Sequence, residues 1–185
     1  MAELNDYSGP FKPDLTFDDF SKEFLLKLMT LWQFAWLHMN TSWFEVVKER
    51  FGIDAAIKCN LQAIVEASER VYPRYPKVAG YEPTTVREAM KSLQLGTVNN
   101  IGGLFPSEYE FKSDNHLIWT IVQCRGLLAH ERRAPEMIYP TCHILEKAIL
   151  KKQLINPRIK VTPLKLPPRE SYDEIACQWE LKLEE

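Results

Sequence analysis

The closing stretch "EIACQWELKL", residues 174–183, constrains the fold more than any other part of the chain. Ile175, Cys177, Trp179, Leu181 and Leu183 alternate with Ala176, Gln178, Glu180 and Lys182. A period of two puts the first set on one face of a β-strand and the second on the other. A lone strand leaves its backbone donors and acceptors open, so this segment demands neighbouring strands. The sequence offers them. "SEYEFKSDNHLIWTIVQC" reads as two strands around a Ser-Asp-Asn turn, the second running from His116 to Cys124. "RIKVTPLKL" reads as another, and its Pro163 calls for an edge position or a bulge because proline cannot donate to the ladder. Between these pairs, the apolar spacing of Ile144, Leu145, Ala148 and Ile149 predicts a helix that begins near Thr141.

The first half has a different period. Thr16 and Asp19 have capping-box spacing, and two apolar stripes follow: Phe20, Phe24, Leu31, Ala35 and Leu25, Met29, Trp32, Trp36, Met39. This predicts a helix over Phe17–Met39 with more apolar surface than one small domain covers, and a homodimer formed through it. "SWFE", residues 42–45, has the same box spacing and predicts a second helix that stops at Gly52. A third starts at Asp54, with Ile57, Leu61, Ile64 and Val65 on one face. Its other face is small, and Cys59 there is expected as a buried thiol. The three prolines of "VYPRYPKVAGYEP" predict a loop, and Thr85 with Glu88 caps a short helix ending near Gly96. "GTVNNIGG" lacks the flanking strand and helix of a phosphate loop and reads as a connection. The order gives an α+β fold, a helical N-terminal half packed on an antiparallel sheet formed by the C-terminal half as strand-strand-helix-strand-strand.

No Gly/Ser-rich or highly charged linker divides the 185 residues, so residues 1–185 read as a single domain with 1–15 as an extended N-terminal arm. With 23 basic and 25 acidic residues the net charge is −2, and no dense basic run leaves the footprint of a nucleic-acid partner. "EKAILKK" reads as a solvated helix end. The apolar stretch from Phe24 to Met39 is interrupted by Lys27, Gln33 and His38 and falls short of the ~20 residues that span a bilayer. The acidic, polar start is no secretory signal. A cytoplasmic protein without a membrane partner is expected, its four cysteines free or bound to metal.

Three of those cysteines fall in the β-rich half: Cys124 at a strand end, Cys142 at the start of the following helix, and Cys177 facing inward on the last strand. Convergence at one end of the sheet would allow three readings. Thiolates with an imidazole suit zinc, or iron, with Cys124, Cys142, Cys177 and His116 as ligands. The intervals match no standard finger or ribbon. Alternatively Cys142, favoured as thiolate by a helix N-terminus, is a nucleophile, with Cys124 as its alternate and His130 or His116 as base. Arg125, Arg132 and Arg133, on a loop, would then clamp a small anion through their planar forks. Third, the thiols are small buried apolar groups.

"SWFEVVKERFGIDAA", the cysteine followed by "RG", the second cysteine before a helix, "NPRIKV", "PP" and the closing "CQWEL" together resemble an uncharacterised prokaryotic protein family. That family is similar to the L-2-amino-thiazoline-4-carboxylate hydrolases and, more distantly, to the 4-vinyl reductase domain, a ligand-binding fold. The likeness runs from about Leu31 to the end. It implies an antiparallel sheet against helices, with Cys124, Cys142 and Cys177 at the family's cysteine positions. For the hydrolase relatives it implies a small sulfur-containing heterocyclic carboxylic acid, opened by adding water. Three functions follow as expectations: a cytosolic domain binding a small molecule or metal at a cysteine-lined site, a hydrolase of a small carboxylate, or an assembly subunit acting through the apolar first helix.

Overall fold

A computed structural model describes residues 3–96 and 105–184. The fold is α+β, with helices α1 (Lys22–Phe51), α2 (Ile53–Val71), α3 (Arg74–Ala79) and α4 (Val86–Leu95) in the N-terminal half. Strands β1 (Ser107–Ser113) and β2 (His116–Ile121) follow, then α5 (Arg125–Arg133), α6 (Glu146–Gln153), β3 (Ile159–Lys165) and β4 (Cys177–Leu183). All pairings are antiparallel, in the order β1-β2-β4-β3. The last strand is therefore inserted between β2 and β3. Pro163 sits on edge strand β3 beside a register shift, as a residue without an N–H must.

Leu117, Trp119 and Ile121 of β2 and Trp179 and Leu181 of β4 are buried. They join Val86, Ala89, Met90 and Leu93 of α4 and Leu150 of α6 in one core. Thr85 caps α4 by accepting the Glu88 N–H at 3.1 Å, and five of that helix's ten residues are buried. No helix among the described residues is long and apolar enough to cross a membrane.

Several boundaries differ from expectation. The Thr16–Asp19 box closes only a 3₁₀ turn, Phe17–Asp19; Ser21 caps α1 by accepting from the Phe24 N–H at 3.3 Å. The helix expected over Phe17–Met39 thus begins at Lys22, and it runs through "SWFE" without a break to Phe51. Nothing upstream of Ser42 disrupts the ladder, and Thr41 turns its hydroxyl to the Leu37 carbonyl at 2.9 Å. Gly52, at φ 86, supplies the turn into α2, which packs against α1. Cys59 on α2 is exposed, not buried. "VYPRYPKVAGYEP" contains α3, since Pro76 in a first turn needs no N–H partner. The N-terminal segment folds back, with the Ser21 N–H bonded to the Leu4 carbonyl at 2.9 Å. The "GTVNNIGG" connection beyond Gly96 lies outside the described residues.

Candidate functional site

Strand β2 ends at Ile121, opposite Cys177, the first residue of β4. The chain then runs from Cys124 to Gln153 as one helical path: α5, a 3₁₀ turn (Pro135–Met137), a π-helical turn (Tyr139–Leu145) and α6. This path returns over the Ile121–Cys177 end of the sheet. It brings Cys124, Cys142 and Cys177 to the wall of one cavity of about 100 Å³. Phe105, Trp119, Ile121, Leu127, Ile149 and Trp179 supply most of its apolar surface, and Glu146 is its one acidic group.

Each thiol is held protonated. Cys124 is the N-cap of α5, and its Sγ accepts the Leu127 N–H at 3.3 Å. Burial nevertheless pushes its pKa up to about 11, outweighing that N–H and the cation of Arg169. Cys177 accepts the Trp179 Nε1–H at 3.3 Å and is pushed up to about 12, again mainly by burial. Cys142 is raised furthest, by burial and then by the Glu146 charge. It lies inside the π turn and not at a helix N-terminus, so the dipole expected to activate it is absent.

Glu146 opens α6 and faces the cavity, which leaves it some accessible surface although it lies deep in the protein. Burial raises its pKa to about 7. No hydrogen bond or ion pair from the described residues reaches its carboxylate, and burial alone sets its shift. An acid without a partner therefore stands on the wall of a mainly apolar space, and an occupant carrying a donor would satisfy it.

A loop closes this end of the site. Pro167 lines the cavity, and its carbonyl accepts from His143 Nε2 at 2.6 Å. Two residues on, the Arg169 side chain is only 2% exposed and grips Glu131 of α5 with Nε at 2.8 Å and Nη2 at 2.9 Å. Its Nη1 donates to the Tyr172 and Glu174 carbonyls at 3.1 and 2.9 Å. Four of its five N–H donors are committed to these partners, so Arg169 fixes the loop.

The other expected site residues are elsewhere. His116 begins β2 at the far end of the sheet, roughly 16 Å from Ile121 at ~3.3 Å per residue, and bonds Glu180 at 2.9 Å. It cannot complete a ligand set with the cysteines. His130 lies on α5 near Glu136, outside the cavity lining, and burial lowers its pKa. Arg125, Arg132 and Arg133 are exposed on a helix, not a loop, along a shallow groove with Leu128 and Ala129. Among the described residues, no group of three or more His, Cys, Asp or Glu is placed to hold a metal ion. The zinc or iron arrangement therefore does not fit this geometry. Glu146 and Arg169 were not anticipated. Glu146 was nevertheless visible in the spacing Cys142, Glu146, Ile149, Leu150, Gln153, which sets an acid on the apolar face of its helix.

The model of a family described as "Family of unknown function (DUF6125)" matches residues 18–183. The chain belongs to this family. The DUF6125 match takes in every element from α1 to β4 and thus the whole cavity wall. No curated protein and no solved structure matches the chain, so the relation to L-2-amino-thiazoline-4-carboxylate hydrolases has no named homologue behind it.

Proposed function

We propose that this protein is a cytoplasmic small-molecule-binding domain whose ligand enters the cavity between α6 and the Ile121–Cys177 end of the sheet. One observation carries the reading: a Glu146 carboxyl without a hydrogen bond or ion pair among the described residues, on the wall of a mainly apolar cavity whose other polar side chain is Gln153. Binding sites combine an apolar wall with a few convergent polar groups, and such groups are satisfied elsewhere in a folded interior. The ligand that fits is small and mainly apolar, smaller than an aromatic ring: the cavity has about 100 Å³, against the ~150 Å³ of a cavity that holds benzene. It carries a donor or positive charge for Glu146.

The likeness to L-2-amino-thiazoline-4-carboxylate hydrolases supplies a second reading, supported by the three thiols on one wall. It is the weaker one. A carboxylate substrate would meet the Glu146 charge, and Arg125, Arg132 and Arg133 stand outside the cavity. The thiolate is also the reactive form, and all three cysteines are shifted away from it.

Calorimetric titration with isobutylamine, isobutanol and isobutyrate separates the two. The expected order is amine above alcohol, with no heat from isobutyrate, and Glu146→Gln brings the amine down to the alcohol. Isobutyrate binding as tightly as isobutylamine, or an unchanged preference in the variant, would sink the proposal. Because a cation favours ionised Glu146, amine affinity should also rise as pH passes upward through about 7.

A further inference from the structure

Helix α1 has 30 residues, and none of them is buried. Its exposed apolar side chains are not scattered. Leu25, Met29, Trp32, Trp36, Met39, Trp43 and Val46 follow one another at alternating intervals of four and three, a heptad spacing sustained for three repeats. Leu25 is half-buried; the other six are exposed, from 39% at Trp36 to 68% at Met39. A second set, Gln33, Leu37, Asn40, Phe44 and Val47, is half-buried and occupies the adjacent face, turned to α2. The seam is therefore distinct from the contact with α2. A period of 3.5 serves helix-on-helix packing, and α2 already occupies the other face.

We infer that the seam binds the same seam of a second copy, antiparallel, about a two-fold axis between Trp36 and Met39. Self-complementarity selects this occupant. In that register Met29 meets the partner's Val46, Trp32 meets the partner's Trp43, and Trp36 meets the partner's Met39. These layers fill the centre of the isologous pair, as two-fold symmetry requires, and at each end Leu25 meets the aliphatic stem of the partner's Arg50. A parallel pairing would instead stack Trp32, Trp36 and Trp43 each on its own mate and leave Met29 and Val46 opposite themselves, giving layers of unequal thickness. The antiparallel pairing also opposes the two helix dipoles.

The area is sufficient. At ~200 Å² per large apolar side chain, six that are about half exposed contribute roughly 600 Å² per copy. Leu28, Ala35 and Ser42 flank the seam and bring the total near the ~800 Å² per partner of a stable interface. Left in water, the seam would be an apolar patch larger than a monomer usually carries.

Sedimentation velocity of the full chain tests this directly, and a dimer is expected at micromolar concentration. Met39→Glu should raise the dissociation constant at least about 100-fold. Leu31→Glu, exposed but off the seam, should change it by less than about 3-fold. Circular dichroism of both variants checks that α1 remains folded. Spin labels at Thr30→Cys or Thr41→Cys, each in a Cys59→Ser background, fix the direction without disturbing the seam. At 1.5 Å per residue, antiparallel mates are offset along the axis by ~22 Å at position 30 and ~10 Å at position 41. A monomer, a dimer that survives Met39→Glu, or equal label distances at the two positions would each overturn the inference.

Discussion

Helix α1 leaves Trp32, Phe34 and Met39 in water, whereas α6, barely a quarter of its length, buries Ile149, Leu150 and Gln153 and carries an acid into the interior. The two regions depart from the usual partition of side chains in opposite senses. Around α1, apolar surface lacks an apolar neighbour; around α6, polar atoms lack a polar one. Interior polar groups are nearly always paired, and long apolar helices are nearly always covered. The proposed ligand and the inferred second copy would each remove one of these departures, and the chemistry of each names what would fit. Glu146 asks for a donor, and the α1 seam asks for more hydrocarbon.

The sharpest way to break the comparison is to treat the two regions alike. Leu181 is fully buried under the helices, so Leu181→Ala should cost about 2–5 kcal/mol, read from the shift in urea midpoint at constant slope. A loss below ~1 kcal/mol would mean that the sheet face is not a close-packed core.

Next in size is a pH effect. Folded Glu146 titrates at about 7 against 4.5 for an ordinary glutamate. The folded state then holds a proton that the unfolded state has released, so stability falls as pH rises from about 4.5 through about 7. The shift is worth roughly 3 kcal/mol at most. Glu146→Gln removes this dependence and should gain on the parent protein from about pH 5 to about pH 7 in thermal melts and level off above that. Parallel curves for the two proteins would place the carboxyl in water.

What the sequence disclosed, and what it did not, divides along the same line. The alternation from Cys177 to Leu183, the Pro163 edge and the Thr85 cap are local patterns, and each proved correct because the backbone enforces it, whereas Ile175 and Ala176 precede the strand and Ala176, expected on the outer face, is buried. The convergence of Cys124, Cys142 and Cys177 depended on which strands are neighbours. It became visible only through the placement of β4 beside β2. The arginines were misplaced because "RGLLAHERR" looks polar throughout, yet Leu127 anchors it as a helix with Arg125, Arg132 and Arg133 on the outer side. The "SWFE" box failed for a different reason. Capping residues mark a start only where the preceding chain leaves the helix, and Leu37–Thr41 does not. Arg169 carries no signal of its own, since its partner Glu131 is distant in sequence.

The cysteines give a third contrast. Cys59 is exposed on α2, whereas the cavity cysteines are only partly accessible. Cys124, shifted from 9.0 to about 11, carries ~100-fold less thiolate than an ordinary thiol at neutral pH. Brief iodoacetamide treatment followed by peptide mass spectrometry should find the label on Cys59 first. Labelling of Cys142 at a comparable rate would restore the nucleophile reading and turn attention back to hydrolysis.

The smallest effect separates the α1 seam from the rest of that helix. Leu31 is 57% exposed and lies away from both the seam and α2, so Leu31→Ala removes little buried area and exchanges one good helix former for a better one. Its stability change should stay within about 0.5 kcal/mol. A change beyond ~1 kcal/mol, measured well above the dimer's dissociation constant, would mean that contacts in the assembly reach around α1 to Leu31. The seam would then be wider than the heptad positions alone, and the partner would cover two faces of the helix instead of one.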